Sequence, residues 1–106
     1  MIADNVNVRD LFHERLRLRD DIERVRLDFI RTDLQVCLTL ASLAGTEYDC
    51  GNREHAERTT ASAEKGYADM LRYFSQAKNP TPEARKELQS TFKRLRERLD
   101  GLQQRM

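Results

Sequence analysis

Asn79-Pro80-Thr81-Pro82-Glu83 is the stretch that decides the fold. Pro80 steers Asn79 away from helical geometry, Thr81 suits an N-cap, and Pro82 suits the first helical position. Glu83 then lies near the positive end of the helix dipole. One helix is therefore expected to end near Lys78 and another to run from Pro82 to about residue 104. Downstream, Leu88, Phe92, Leu95, Leu99, Leu102 and Met106 alternate spacings of four and three. That is the 3.5-residue seam of helices packed side by side.

Upstream, the same rhythm runs through Ala56, Thr60, Ala63, Tyr67, Met70, Phe74 and Ala77. Its first half is small and its second half bulky, so a neighbouring helix can approach closely at the start and a third element fits at the end. Gly66 lies inside this run at a propensity cost of about 1 kcal/mol relative to Ala, which points to close backbone contact there. The run begins after Cys50-Gly51-Asn52, where Gly51 suits a left-handed C-cap and Asn52 the cap of the next helix. The second helix is expected over 53–78.

Between Met1 and Ala44 there is no glycine or proline. Leu11, Leu18, Ile22, Val25, Phe29, Val36, Leu40 and Leu43 form one apolar stripe. Leu27, Ile30, Leu34, Leu38, Ala41 and Ala44 form a second. Residues 8–31 read as half exposed and 34–44 as buried almost all round. Thr32-Asp33-Leu34-Gln35 has the capping-box form, so a break near Asp33 competes with one continuous helix over 8–48. The absence of any helix breaker favours continuity. The expected fold is a single all-α domain over residues 1–106, an antiparallel bundle of three long helices, or four if the first breaks. Residues 1–7 are expected to be disordered.

Helix lengths sharpen this picture. Laid antiparallel from the 49–52 turn, the second helix covers the first only back to about residue 24. Leu11, Phe12, Leu16, Leu18 and Ile22 would overhang. Each such side chain gains ~1.5–3 kcal/mol on burial, so they call for cover. Either the chain folds back at Asp33, or the overhang pairs with a second copy. The expectation is a homodimer that self-associates through Leu11, Phe12, Leu18 and Ile22.

Residues 40–63 contain Leu43-Ala44, Gly51-Asn52, Ala56 and Ala63 at spacings that resemble one tetratricopeptide repeat. Leu43-Ala44 match the small-residue pair of that family's first helix, Gly51-Asn52 its turn, and Ala56 and Ala63 the small positions of its second helix. Glu47 and Thr60 stand where the family usually has large residues. No second copy follows at the family's spacing of about 34 residues. The resemblance implies a helical hairpin in a protein-interaction module.

Charge excludes several other functions. The chain carries 19 Lys+Arg and 18 Asp+Glu, a net charge of +1, which argues against a polybasic or acidic tail. The charges fall at helical spacing as expected ion-pair ladders: Asp20–Arg24, Arg24–Asp28, Glu54–Arg58, Lys65–Asp69 and Lys93–Glu97. The last helix holds the densest basic cluster. Lys93, Arg94, Arg96 and Arg98 form the candidate face for nucleic acid, an alternative to self-association.

Little else points to chemistry. There is no glycine-rich phosphate loop, no Cys-x-x-Cys and no His-Glu-x-x-His, and the serines fall inside predicted helices. Only two histidines occur. His13 follows Asp10 by three residues, and His55 adjoins Glu54. Neither belongs to the Glu-x-x-His pattern of bundle metal sites. No catalytic residue, cofactor or metal is expected, nor enzymatic activity. The start of the chain lacks the pattern of a signal peptide, and the uncharged run from Leu34 to Gly45 is short of the ~20 apolar residues that span a bilayer. A cytoplasmic protein with reduced thiols is expected, Cys37 in the core and Cys50 near the surface, with no membrane partner.

Overall fold

The computed structural model describes residues 7–105. Three α-helices follow one another: α1 Val8–Asp49, α2 Arg53–Ser75 and α3 Pro82–Gln103. They form the expected three-helix bundle, elongated to 74 × 26 × 16 Å. Residues 1–6 of the stretch expected to be disordered, and Met106 of the last seam, lie outside the described residues. Asn7 is the N-cap of α1, its side-chain oxygen accepting from the Arg9 N–H at 2.9 Å.

α1 runs unbroken for 42 residues, so the capping box at Thr32 goes unused. Ile30, Leu34 and Cys37 are buried side by side on one stripe. A break at Asp33 would remove backbone hydrogen bonds exactly where this stripe meets α2 and α3. Gly51 closes the first turn with φ 81°, the left-handed conformation that glycine adopts without a Cβ penalty. Asn52 stands at the cap position of α2, but it caps only through its backbone. Its carbonyl accepts from the Ala56 N–H at 3.0 Å, and its side chain makes no capping hydrogen bond.

α2 ends at Ser75, three residues before the expected boundary. The chain tightens there: the Gln76 and Ala77 N–H groups each donate to the carbonyl three residues back, at 3.1 Å. Asn79 takes φ 48°, a left-handed conformation that its short polar side chain tolerates. The Lys78 N–H donates to the Glu23 carboxylate at 2.7 Å, which lowers that carboxyl's pKa and pins the α2–α3 turn to α1. The next cap follows expectation in full. Thr81 accepts from the Ala84 N–H at 3.1 Å, and Pro82 opens α3.

The core is a single cluster. α1 supplies Ile30, Leu34, Cys37, Leu38, Ala41 and Ala44; α2 supplies Ala63 and Met70; α3 supplies Leu88, Phe92, Leu95, Leu99 and Leu102. Tyr67 and Phe74 of α2 pack against Phe92 with ring centroids 5.8 and 5.7 Å apart. The small side chains do the work foreseen for them at Gly66. A Cβ there would come well inside van der Waals contact distance of the Cys37 sulfur. Gly66→Ala is therefore expected to destabilise the protein by about 1–3 kcal/mol through overpacking. In a Cys37→Ala background the same change becomes stabilising by up to about 1 kcal/mol, because helix propensity then acts alone. Urea unfolding of the four variants measures this, and an unchanged sign in the two backgrounds would remove the close approach.

Candidate functional site: the outer face of α1

α1 presents two apolar stripes, and α2 and α3 cover only one. Leu34, Leu38, Ala41 and Ala44 are buried, whereas Val36 and Leu43 of the other stripe are about half exposed. The segment 34–44 is thus buried on one side, not almost all round. The reason is geometric: two neighbouring helices cover the arc between them, and the opposite arc stays open. The small residues Cys37, Ala41 and Ala44 lie on the covered arc, and at Cys37 the side chain meets the Gly66 backbone of α2.

The open stripe follows a heptad along the whole of α1. Val8, Arg15, Ile22, Phe29, Val36 and Leu43 recur every seven residues, and Leu11, Leu18, Val25, Thr32 and Thr39 fall between them. The apolar members stand exposed, among them Leu18 at 57 % and Ile22 at 60 %. Residues 7–20 are all exposed, because the bundle stops at Glu23, where the α2–α3 turn attaches. Leu11, Phe12, Leu18 and Ile22, the sequence-predicted self-association residues, lie together on this overhang. Phe12 flanks the heptad line rather than sitting on it.

Sequence reasoning placed the overhang but missed one companion. Tyr73 of α2 reaches the open face, with its ring edge-on to Phe29 at 5.8 Å between centroids. Ile22, Val25, Phe29, Ile30 and Tyr73, with Arg26, line a shallow apolar hollow. Tyr73 lies off the α2 stripe, and no helical period within α2 singles it out.

The basic cluster of α3 divides. The Arg96 guanidinium donates to both carboxylate oxygens of Glu64, at 2.9 and 2.7 Å, and to Asp100 at 2.9 Å, and it lies 4.9 Å from the centre of the Tyr67 ring. These bonds raise the pKa of Arg96 and lower that of Glu64. Arg98 donates to the Ser42 hydroxyl at 2.7 Å. Lys93 and Arg94 are exposed. Arg94 and Arg98 thus share a surface beside Ser42, Lys93 is exposed apart from them, and Arg96 serves as a cross-helix tie.

Most other ion pairs run along a single helix, and a few cross between helices. Arg31 forks onto Glu87 at 2.9 Å from both Nε and Nη2, and Arg105 bonds Asp49. Of the five expected ladder pairs, Glu54–Arg58 and Lys65–Asp69 form, at 3.7 and 2.9 Å. Arg24 turns instead to Asp21, and Asp28 to Arg31. Lys93–Glu97 is not among the ion pairs of the described residues.

The Glu64 tie has a pH signature. Its carboxyl titrates below the usual 4.5, chiefly because Arg96 holds the ionised form. A depressed folded-state pKa adds stability above the unfolded-state pKa, and that stability is lost as pH falls through the folded value. Glu64→Gln should therefore flatten the fall in urea midpoint between about pH 5 and about pH 3. An identical slope in wild type and variant would show that the tie adds nothing.

The histidines stay apart. His13 is exposed on the overhang, and His55 bonds the Glu47 carboxylate. Among the described residues, no group of three or more His, Cys, Asp or Glu side chains gathers as a metal site would require. Cys37 is buried, and its thiol is pushed up to about 11 by desolvation and by nearby Asp33 and Asp69, whereas Cys50 is exposed. No described helix is long and apolar enough to cross a membrane. Set against family models, curated proteins and solved structures, the chain finds no match in any of the three.

Proposed function

We propose that this protein is a helical scaffold that acts through protein–protein contact, first of all with a second copy of itself. One observation carries the reading: an apolar heptad seam stays exposed along α1, from Val8 to Leu43, and among the described residues neither α2 nor α3 lies along it beyond the edge contact of Tyr73 with Phe29. Monomeric proteins rarely leave so long an apolar stripe in water, and a heptad repeat is the pattern that a second helix covers. The repeat-like hairpin at 40–63 fits the same role, since its small residues stiffen the bundle that carries the seam. The seam does not call for catalysis.

The nucleic-acid alternative loses its central member, because the guanidinium of Arg96 is committed to Glu64 and Asp100. Light scattering over a range of protein concentrations tests the proposal. A dimeric mass supports it, and a strictly monomeric mass at high concentration overturns it.

A further inference from the structure

We infer that the two copies meet antiparallel, each overhang lying on the outer face of the other copy's bundle. This rests on the self-association proposed above and adds its geometry. Heptad spacing allows one full-length antiparallel register, with the two-fold axis near Leu27. In that register Leu11 stands opposite Leu43 of the second copy, Leu18 opposite Val36, and Val25 opposite Phe29. The weaker members also meet suitable partners: Arg15 faces Thr39, and Ile22 faces Thr32. Phe12, off the heptad line, comes beside Leu40, which is only partly covered within its own copy.

Beside the axis this register brings Arg26 to Arg26 and Asp28 to Asp28 of the second copy, but each is already neutralised within its own copy, Arg26 by Glu23 and Asp28 by Arg31; farther out it matches opposite charges. Arg19 comes beside Asp33 of the second copy, and neither forms an ion pair among the described residues of its own. The parallel arrangement stacks Arg15 on Arg15 in the seam and sets Asp28 beside Asp33, both repulsive. Its gain would be Glu14–Arg19 and Asp21–Arg26. However, Asp21 is already bonded to Arg24, and Arg26 to Glu23, each at 3.0 Å. Antiparallel docking also places the bare two heptads of each overhang against a three-helix body, whereas parallel docking leaves them as an isolated two-stranded coil.

Cys50 offers a direct measurement, because it is exposed while Cys37 is buried. A nitroxide on Cys50 lies ~35 Å along α1 from the two-fold axis, so antiparallel copies place the two labels about 70 Å apart. Parallel copies, with helix axes ~10 Å apart, place them within about 25–30 Å. Pulsed electron-spin distances on the dimer are expected near the long value. In a Cys50→Ser background, Leu18→Cys with Val36→Cys should then close a disulfide-linked dimer that Leu18→Cys alone does not. A dimeric mass with a short label distance, or with cross-linking by Leu18→Cys alone, overturns the orientation and leaves self-association standing. A monomeric mass overturns both.

Discussion

Leu18→Glu combined with Ile22→Glu is expected to convert the protein to monomers without unfolding it. Both side chains stand on the part of α1 beyond the reach of α2 and α3, and both are more than half exposed in the single chain. A dimer buries four such side chains, each gaining ~1.5–3 kcal/mol. Their replacement by carboxylates removes that gain and adds charge to an apolar seam. Tenfold in affinity corresponds to about 1.4 kcal/mol, so the dissociation constant should rise by at least ~1,000-fold. Helical circular dichroism should stay near wild type, since glutamate is a good helix former and no core contact is lost. An unchanged dimeric mass would place the interface elsewhere. A monomer that has also lost its helicity would show that the overhang belongs to the folding core.

Ile30→Ala and Ile22→Ala should differ sharply although they alter the same residue type on the same helix. Ile30 is fully buried against the cluster, and Ile22 is 60 % exposed. To keep dimerisation out of the comparison, both are measured in a Leu18→Glu background at a protein concentration where light scattering reads a monomeric mass. Ile30→Ala is expected to remove about 2–5 kcal/mol, from lost transfer energy plus the cavity left behind. Ile22→Ala should stay within about 0.5 kcal/mol. Domain stability is commonly about 5–15 kcal/mol, so the first variant loses a large share of it and its thermal midpoint drops by ~10 °C or more. Equal effects would mean that the two stripes of α1 are not inside and outside as described.

These two variants touch the point where sequence and tertiary structure part company. α3 was legible throughout its described length. Thr81 and Pro82 mark its start, and every member of its seam from Leu88 to Leu102 is buried. A helix with one apolar stripe has only one way to face its neighbours. The α1–α2 hairpin was equally legible, because Gly51 supplies the left-handed turn and Gly66 the close approach. The end of α2 was not, since Ala77 and Lys78 continue the helical pattern. The left-handed turn at Asn79 and the bond from Lys78 to Glu23 set that boundary.

The candidate interface was half legible. Leu11, Phe12, Leu18 and Ile22 followed from comparing helix lengths, but the continuation of the seam through Val36 and Leu43 was read as buried. Tyr73 was missed because it serves α1, and its own helix carries no sign of that. Arg96 reads as part of a basic cluster because sequence proximity counts charges along one helix. Its carboxylate partner Glu64 lies 32 positions away.

By itself, then, the amino-acid sequence determined three helices, two turns and an antiparallel course, because caps, breakers and 3.5-residue spacing act within a few residues of one another. Only the tertiary structure decided which of two apolar stripes on α1 is the core and which stays exposed. Spacing gives an apolar stripe its direction around a helix, but not a neighbour. The neighbour is chosen by how closely two backbones can approach, and here Cys37, Ala41 and Ala44 let α2 approach on one side only.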